Sequence, residues 1–204
     1  KRLVPPARAP FCYLLAGASV LPHDISVSEA KLQEGVVLQL VRGKCNNVVT
    51  CTGRVPGSAK QPYLADIPDS ETRIDDLAFA DCPSLTEVQI PHSVTSIGND
   101  AFVACTALTD VQIPISVTSI GGCAFCRCTS LTKVQIPNSV TSISIGAFSG
   151  CTSVAEVHIP ESVASIGDDV LHGCMSLTYV QIPNSVTSIA WSVFDGCTSL
   201  EKVQ

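Results

Sequence analysis

Apolar residues recur along most of this chain at one fixed interval. The dipeptide Ile-Pro stands at Ile67-Pro68, Ile90-Pro91, Ile113-Pro114, Ile136-Pro137, Ile159-Pro160 and Ile182-Pro183, always 23 residues apart and without insertion. An interval that strict requires each unit to occupy the same volume as the next. One apolar column reads Leu85, Leu108, Leu131, Val154, Leu177 and Leu200, and a second reads Val88, Val111, Val134, Val157, Val180 and Val203. The Val and the Ile of Ile-Pro are two residues apart, so they share one face of a short strand while the residue between them points away. A further apolar pair follows in each unit, as in Val94 and Ile97 or Val140 and Ile143. The surrounding Ser-Val-Thr-Ser-Ile is rich in β-branched residues and predicts a second strand on the opposite wall. A turn then carries Gly98, Gly121 or Gly167, and a column of Phe79, Phe102, Phe125, Phe148, Leu171 and Phe194 plugs the unit from the third side.

A single coil cannot bury its own hydrophobic face, but stacked neighbours cover each other. At roughly 4.8 Å per strand, six coils predict a rod on the order of 25–30 Å long. Pro after each first strand cannot donate to the ladder, so it ends the strand and turns the chain. The Ser and Thr columns beside it are expected to hydrogen-bond to one another along the stack. The first coil is degenerate: Pro62, Ala65 and Ile67 are expected where Leu, Val and Ile stand elsewhere, as suits a terminal cap.

The composition changes this picture little. Apolar residues make up 46% of the 204 and charged residues 15%, which is core-forming, and aromatics are only 5%, so Val, Ile, Leu and Cys must build the core. A formal charge of −6 argues against a nucleic-acid surface, which needs a basic stripe. No run reaches the roughly 18 apolar residues of a membrane span. The chain has no initiator Met and stops in mid-pattern at Gln204, so it reads as a processed or partial protein.

Units such as Cys128-Thr-Ser-Leu-Thr-Lys-Val-Gln-Ile-Pro-Asn-Ser-Val-Thr-Ser-Ile143 resemble the BspA-like branch of leucine-rich repeats, over residues 62–204. Pro and Ser replace the Asn or Cys that follows the strand in the ordinary leucine-rich consensus. The resemblance implies an α/β leucine-rich-repeat solenoid, β-dominated, with parallel strands on two walls and turns or helical turns between. It also implies a surface or scaffold protein that binds other proteins. Residues 1–43 resemble the second half of a ubiquitin-like β-grasp domain, with strands at Tyr13–Leu15 and Val37–Val41 and a helical turn at Ser26–Leu32. Arg42-Gly43-Lys44-Cys45 lacks a terminal Gly-Gly, so modifier activity is not expected. The rival reading of this end is a secretory signal, with Lys1, Arg2 and Arg8 ahead of an apolar run from Phe11 to Leu21. Residues 44–61 read as a linker and the start of an N-terminal cap.

Eleven cysteines raise the question of thiol chemistry. Six occupy one column, Cys82, Cys105, Cys128, Cys151, Cys174 and Cys197, and are expected to be small buried thiols. Stacked coils set equivalent side chains about 4.8 Å apart, whereas a disulfide wants Cβ atoms near 3.8 Å. Cys123-Ala-Phe-Cys126-Arg-Cys128 suggests zinc or redox chemistry, but Ala124, Phe125 and Cys128 fall in buried columns, so the sulfurs are expected to diverge. Cys45 and Cys51 leave a local disulfide open. His23, His92, His158 and His172 are scattered, and Asp168-Asp169 reads as a solvated turn rather than a calcium site.

No catalytic fingerprint interrupts the repeats, and neither cofactor nor metal is expected. The outward columns of the first strand are Glu87, Asp110, Lys133, Glu156, Tyr179, Lys202 and Gln89, Gln112, Gln135, His158, Gln181, Gln204. They form the candidate partner face, with Tyr179 its one aromatic. The sequence thus points to a non-catalytic protein–protein scaffold or adaptor, such as a structural or peripheral subunit of a larger assembly, in an intracellular or organellar compartment; a secreted or cell-surface adhesin is the alternative.

Overall fold

The computed structural model describes residues 12–16, 19–21, 38–42, 48–51, 63–67, 69–190 and 192–204. Four short strands come first: β1 (Cys12–Ala16), β2 (Ser19–Leu21), β3 (Leu38–Arg42) and β4 (Val48–Cys51). β1 pairs antiparallel with both β2 and β3, and β4 pairs antiparallel with β3 and with β5 (Tyr63–Asp66). β1 and β3 fall on the two stretches read as β-grasp strands, and β4 lies within the segment read as linker. The turn Ser26–Leu32, Cys45 of the Cys45–Cys51 pair and the signal-like stretch Lys1–Leu21, β1 and β2 apart, lie outside the described residues.

From β5 onward the chain coils. The first wall continues through β7 (Leu85–Gln89), β9 (Asp110–Gln112), β11 (Lys133–Gln135), β13 (Glu156–His158), β15 (Tyr179–Gln181) and β16 (Lys202–Val203), all parallel. The second wall is a five-stranded parallel sheet of β6 (Arg73–Ile74), β8 (Ser96–Ile97), β10 (Ser119–Ile120), β12 (Ser142–Ile143) and β14 (Ser165–Ile166). Register is kept throughout: Val134 lies opposite Val111 and Val157, and Ile120 opposite Ile97 and Ile143. The predicted solenoid of 23-residue coils is therefore the observed one. At its entry the register shifts, so that Tyr63 rather than Pro62 lies opposite Leu85, while Ala65 faces Val88 as expected.

The third wall is built of turns, and the described residues contain no helix. Two columns on this wall take left-handed backbone: Leu77, Asp100, Cys123, Gly146 and Asp169, then Asp81, Ala104, Arg127, Gly150, Gly173 and Gly196. Each left-handed residue interrupts right-handed winding and aims N–H groups along the rod instead of back into the same turn. Those groups bond the following coil, as in Phe102 N to Ala124 O at 2.7 Å and Arg127 N to Ser149 O at 2.7 Å. On the second wall the donors reach the preceding coil instead, as in Gly121 N to Ile97 O at 2.9 Å.

The core runs down the rod. Through the central coils the Leu, Val and Ala columns are buried, and Phe102 and Phe125 are 0% exposed. The rings of Phe79, Phe102, Phe125 and Phe148 stack nearly parallel, with centroids 4.9, 5.1 and 5.4 Å apart. The hydroxyl columns differ from expectation, because Ser and Thr donate to backbone carbonyls one coil back rather than to one another. Thr118 Oγ1 reaches Thr95 O at 3.2 Å, and Ser162 Oγ reaches Val140 O at 2.7 Å.

Candidate interaction face

The period-2 alternation of the first wall sends Val88, Val111, Val134, Val157 and Val180 inward, none more than 3% exposed. Their neighbours must then face out. Glu87, Asp110, Lys133 and Glu156 are exposed and Tyr179 is half-buried; Gln89, Gln112, Gln135 and His158 are exposed and Gln181 is half-buried. Pairing aligns Lys133 with Asp110 on one side and Glu156 on the other, and Gln135 with Gln112 and His158. All ten candidate residues thus lie in two adjacent columns on one surface. Strands at about 4.8 Å spacing carry that surface over roughly 24 Å.

The charge on the face is graded. Glu87 and Asp110 lie side by side at the early end, where they line a shallow hollow with Val88, Gln89, Ile90 and Gln112. At the late end the Lys202 ammonium sits 5.7 Å from the centre of the Tyr179 ring, and Tyr179 Oη is 3.4 Å from Gln204 Oε1. Tyr179 is therefore held in place by its neighbours rather than standing free.

The cysteine column is buried as predicted except at Cys197, which is half-buried, and it has a role that spacing did not show. Cys105, Cys128, Cys151, Cys174 and Cys197 donate their thiols to the carbonyls of Phe79, Phe102, Phe125, Phe148 and Leu171, at 3.1 to 3.4 Å. Each acceptor is 26 residues back, one coil and one turn away. Burial pushes the Cys174 thiol up to about 12, with the neighbouring Cys197 thiol adding to the rise. Cys128 and Cys151 are pushed further in the same direction, also chiefly by burial. These thiols stay protonated and serve as donors.

The expectation that the sulfurs of Cys123, Cys126 and Cys128 all diverge is corrected in part. Cys128 points into the core, whereas Cys123 and Cys126 are both half-buried at the two ends of one turn, and burial first, then the nearby Cys123 thiol, push the Cys126 thiol up. Cys123 takes the left-handed backbone, φ 52°, and strand spacing carries no trace of that. Among the described residues, no group of three or more His, Cys, Asp or Glu is placed to hold a metal ion. Nor do the described residues include any helix long and apolar enough to cross a membrane.

Residues 66–203 match, in six copies, the family model described as BspA type leucine rich repeat region. The chain is similar to the leucine-rich repeat protein of T. pallidum, with 30% identity over 71% of this chain and 74% of that one and a TM-score of 0.66. It is also similar to a leucine-rich repeat protein from Bacteroides ovatus, with 32% identity over 82% of this chain and a TM-score of 0.68. It spans 45% of that second protein's length. No curated protein matches the chain. The family match begins at residue 66, and none of these comparisons supports the ubiquitin-like reading of residues 1–43.

Proposed function

The chain belongs to the BspA-type leucine-rich repeat family, and from that premise we propose that it is a non-catalytic scaffold gripping another protein on the outer face of its first wall. Proteins of this family are in general interaction or surface proteins. The observation that carries the reading is the face itself: two registered columns from Glu87 to Gln181, polar and accessible, over a core whose frame never varies. A rigid sheet loses little conformational entropy on binding, so contacts to it convert efficiently into affinity. The half-buried Tyr179 and its Lys202 neighbour form the natural anchor, and the Glu87–Asp110 end favours a basic patch on the partner. The thiol ladder, which spends its hydrogens on carbonyls, suits a reducing intracellular or organellar compartment. In a larger assembly the same face would seat the rod as a peripheral subunit.

The test uses the intact chain as bait in parallel with two charge reversals. One is Glu87→Lys with Glu156→Lys on the face, and the other is Asp168→Lys on the third wall. A protein retained by the wild type and the third-wall variant, and lost from the face variant, supports the reading. If no protein is retained, or if retention ignores the face substitutions while circular dichroism shows all three folded, the reading is wrong. Labelling of whole cells with a membrane-impermeant amine reagent separates an intracellular scaffold from a surface adhesin.

A further inference from the structure

Two cysteines lie outside the thiol ladder of the solenoid, and both lie in one coil. In the column of Cys123 the other coils carry Leu77, Asp100, Gly146, Asp169 and Ser192, and in that of Cys126 they carry Ala80, Val103, Ser149, His172 and Asp195. Nothing in the repeat asks for sulfur at either place. The backbone brings the two together, because Cys126 N donates to Cys123 O at 3.0 Å and closes a four-residue turn. Such a turn holds its end Cα atoms within about 7 Å, which overlaps the roughly 4.4–6.8 Å a disulfide spans. The turn is clamped from within: Ala124 and Phe125 are 0% exposed, and Phe125 N bonds Ala147 O at 2.8 Å. Gly146, which lacks a Cβ, leaves room for the Cys123 sulfur; a Cβ there would stand 3.0 Å from Sγ. Both thiols are half-buried and so within reach of a small reagent, while Cys128 is buried with its hydrogen on Phe102 O at 3.2 Å. Arg127 follows directly and is exposed, a cation beside the pair for an anionic thiol compound.

We propose that Cys123 and Cys126 are a dithiol site that reacts with small disulfides of the oxidised glutathione class and closes reversibly to a disulfide across the turn. One thiol loses its proton to solvent, attacks a sulfur of the small disulfide and expels one thiolate. The second thiol is deprotonated in turn, attacks the protein sulfur of the mixed disulfide and expels the other thiolate. The two protons go to the two thiolates, so protein dithiol and oxidised glutathione become protein disulfide and two reduced glutathiones.

The experiment incubates the intact chain with oxidised glutathione, traps free thiols with a maleimide and maps the peptides by mass spectrometry. The expected product is a Cys123–Cys126 disulfide, reopened by dithiothreitol, with the buried ladder cysteines Cys105, Cys128, Cys151 and Cys174 trapped only after denaturation. C123S and C126S should each stop at a stable mixed disulfide with no closed species. Separate glutathione groups persisting on Cys123 and Cys126 of the wild type would overturn the proposal. So would closure that is unchanged in either serine variant, or wild-type thiols that remain fully trappable.

Discussion

Each ladder cysteine fills space and donates a hydrogen at once, and this pairing of roles governs how the protein should respond to alkali. The Cys174 thiol, raised to about 12 by burial, keeps a proton that the unfolded chain gives up near 9. Its contribution to stability is therefore complete below about pH 9 and is lost as the pH climbs from there towards 12. The urea midpoint should hold steady near pH 7–8 and fall beyond pH 9, each fully buried ladder thiol steepening the slope by up to about 1.4 kcal/mol per pH unit. Cys174→Ala, though less stable at neutral pH, should decline less steeply; an unchanged slope would show that the ladder does not titrate this way. The Phe column gives the second prediction at this scale. Phe125 is 0% exposed between two stacked rings, so Phe125→Ala should cost about 3–5 kcal/mol in urea unfolding. Phe125→Leu should cost less than about 2 kcal/mol, because Leu171 already fills the same column one coil beyond Phe148.

At the scale of the element, the walls differ in how closely their backbones approach. A Cβ on Gly121 would stand 2.5 Å from the Gly98 carbonyl carbon and 2.7 Å from Asn99 N, both backbone atoms of the coil before. On Gly173, φ 69°, the nearest atom would be 3.8 Å away. Gly121→Ala must therefore push two coils apart, whereas Gly173→Ala meets only the left-handed penalty of roughly 1–2 kcal/mol. The thermal midpoint should fall clearly further for Gly121→Ala, and equal losses would contradict the spacing. Ser144 stands in the Gly121 column, and its bond to Ile120 O is 3.2 Å where the glycines hold 2.8 to 2.9 Å, the small yielding that a Cβ there requires.

Across the whole molecule each coil touches only its neighbours, so stability is close to a sum of coils and interfaces. Deleting residues 128–150 removes one whole 23-residue coil and joins Arg127 to Cys151 in register. That variant should stay soluble with its circular dichroism shape kept and its urea midpoint lowered; removing 128–149 instead shifts every later column by one position and should unfold the rod beyond the cut. The sequence by itself determined the coil length, the strand register, the buried columns and the two outward columns of the candidate face. These follow from periodicity alone, since a residue repeated every 23 positions has the same surroundings each time. Only the tertiary structure decided where the thiols and hydroxyls send their hydrogens, because the acceptors are backbone carbonyls a coil away, such as Phe102 O for Cys128. The same holds for the turn that joins Cys123 to Cys126 and the hydrogen bonding of the third wall. Both depend on left-handed residues such as Cys123 and Arg127, whose side chains do not announce that backbone as glycine would.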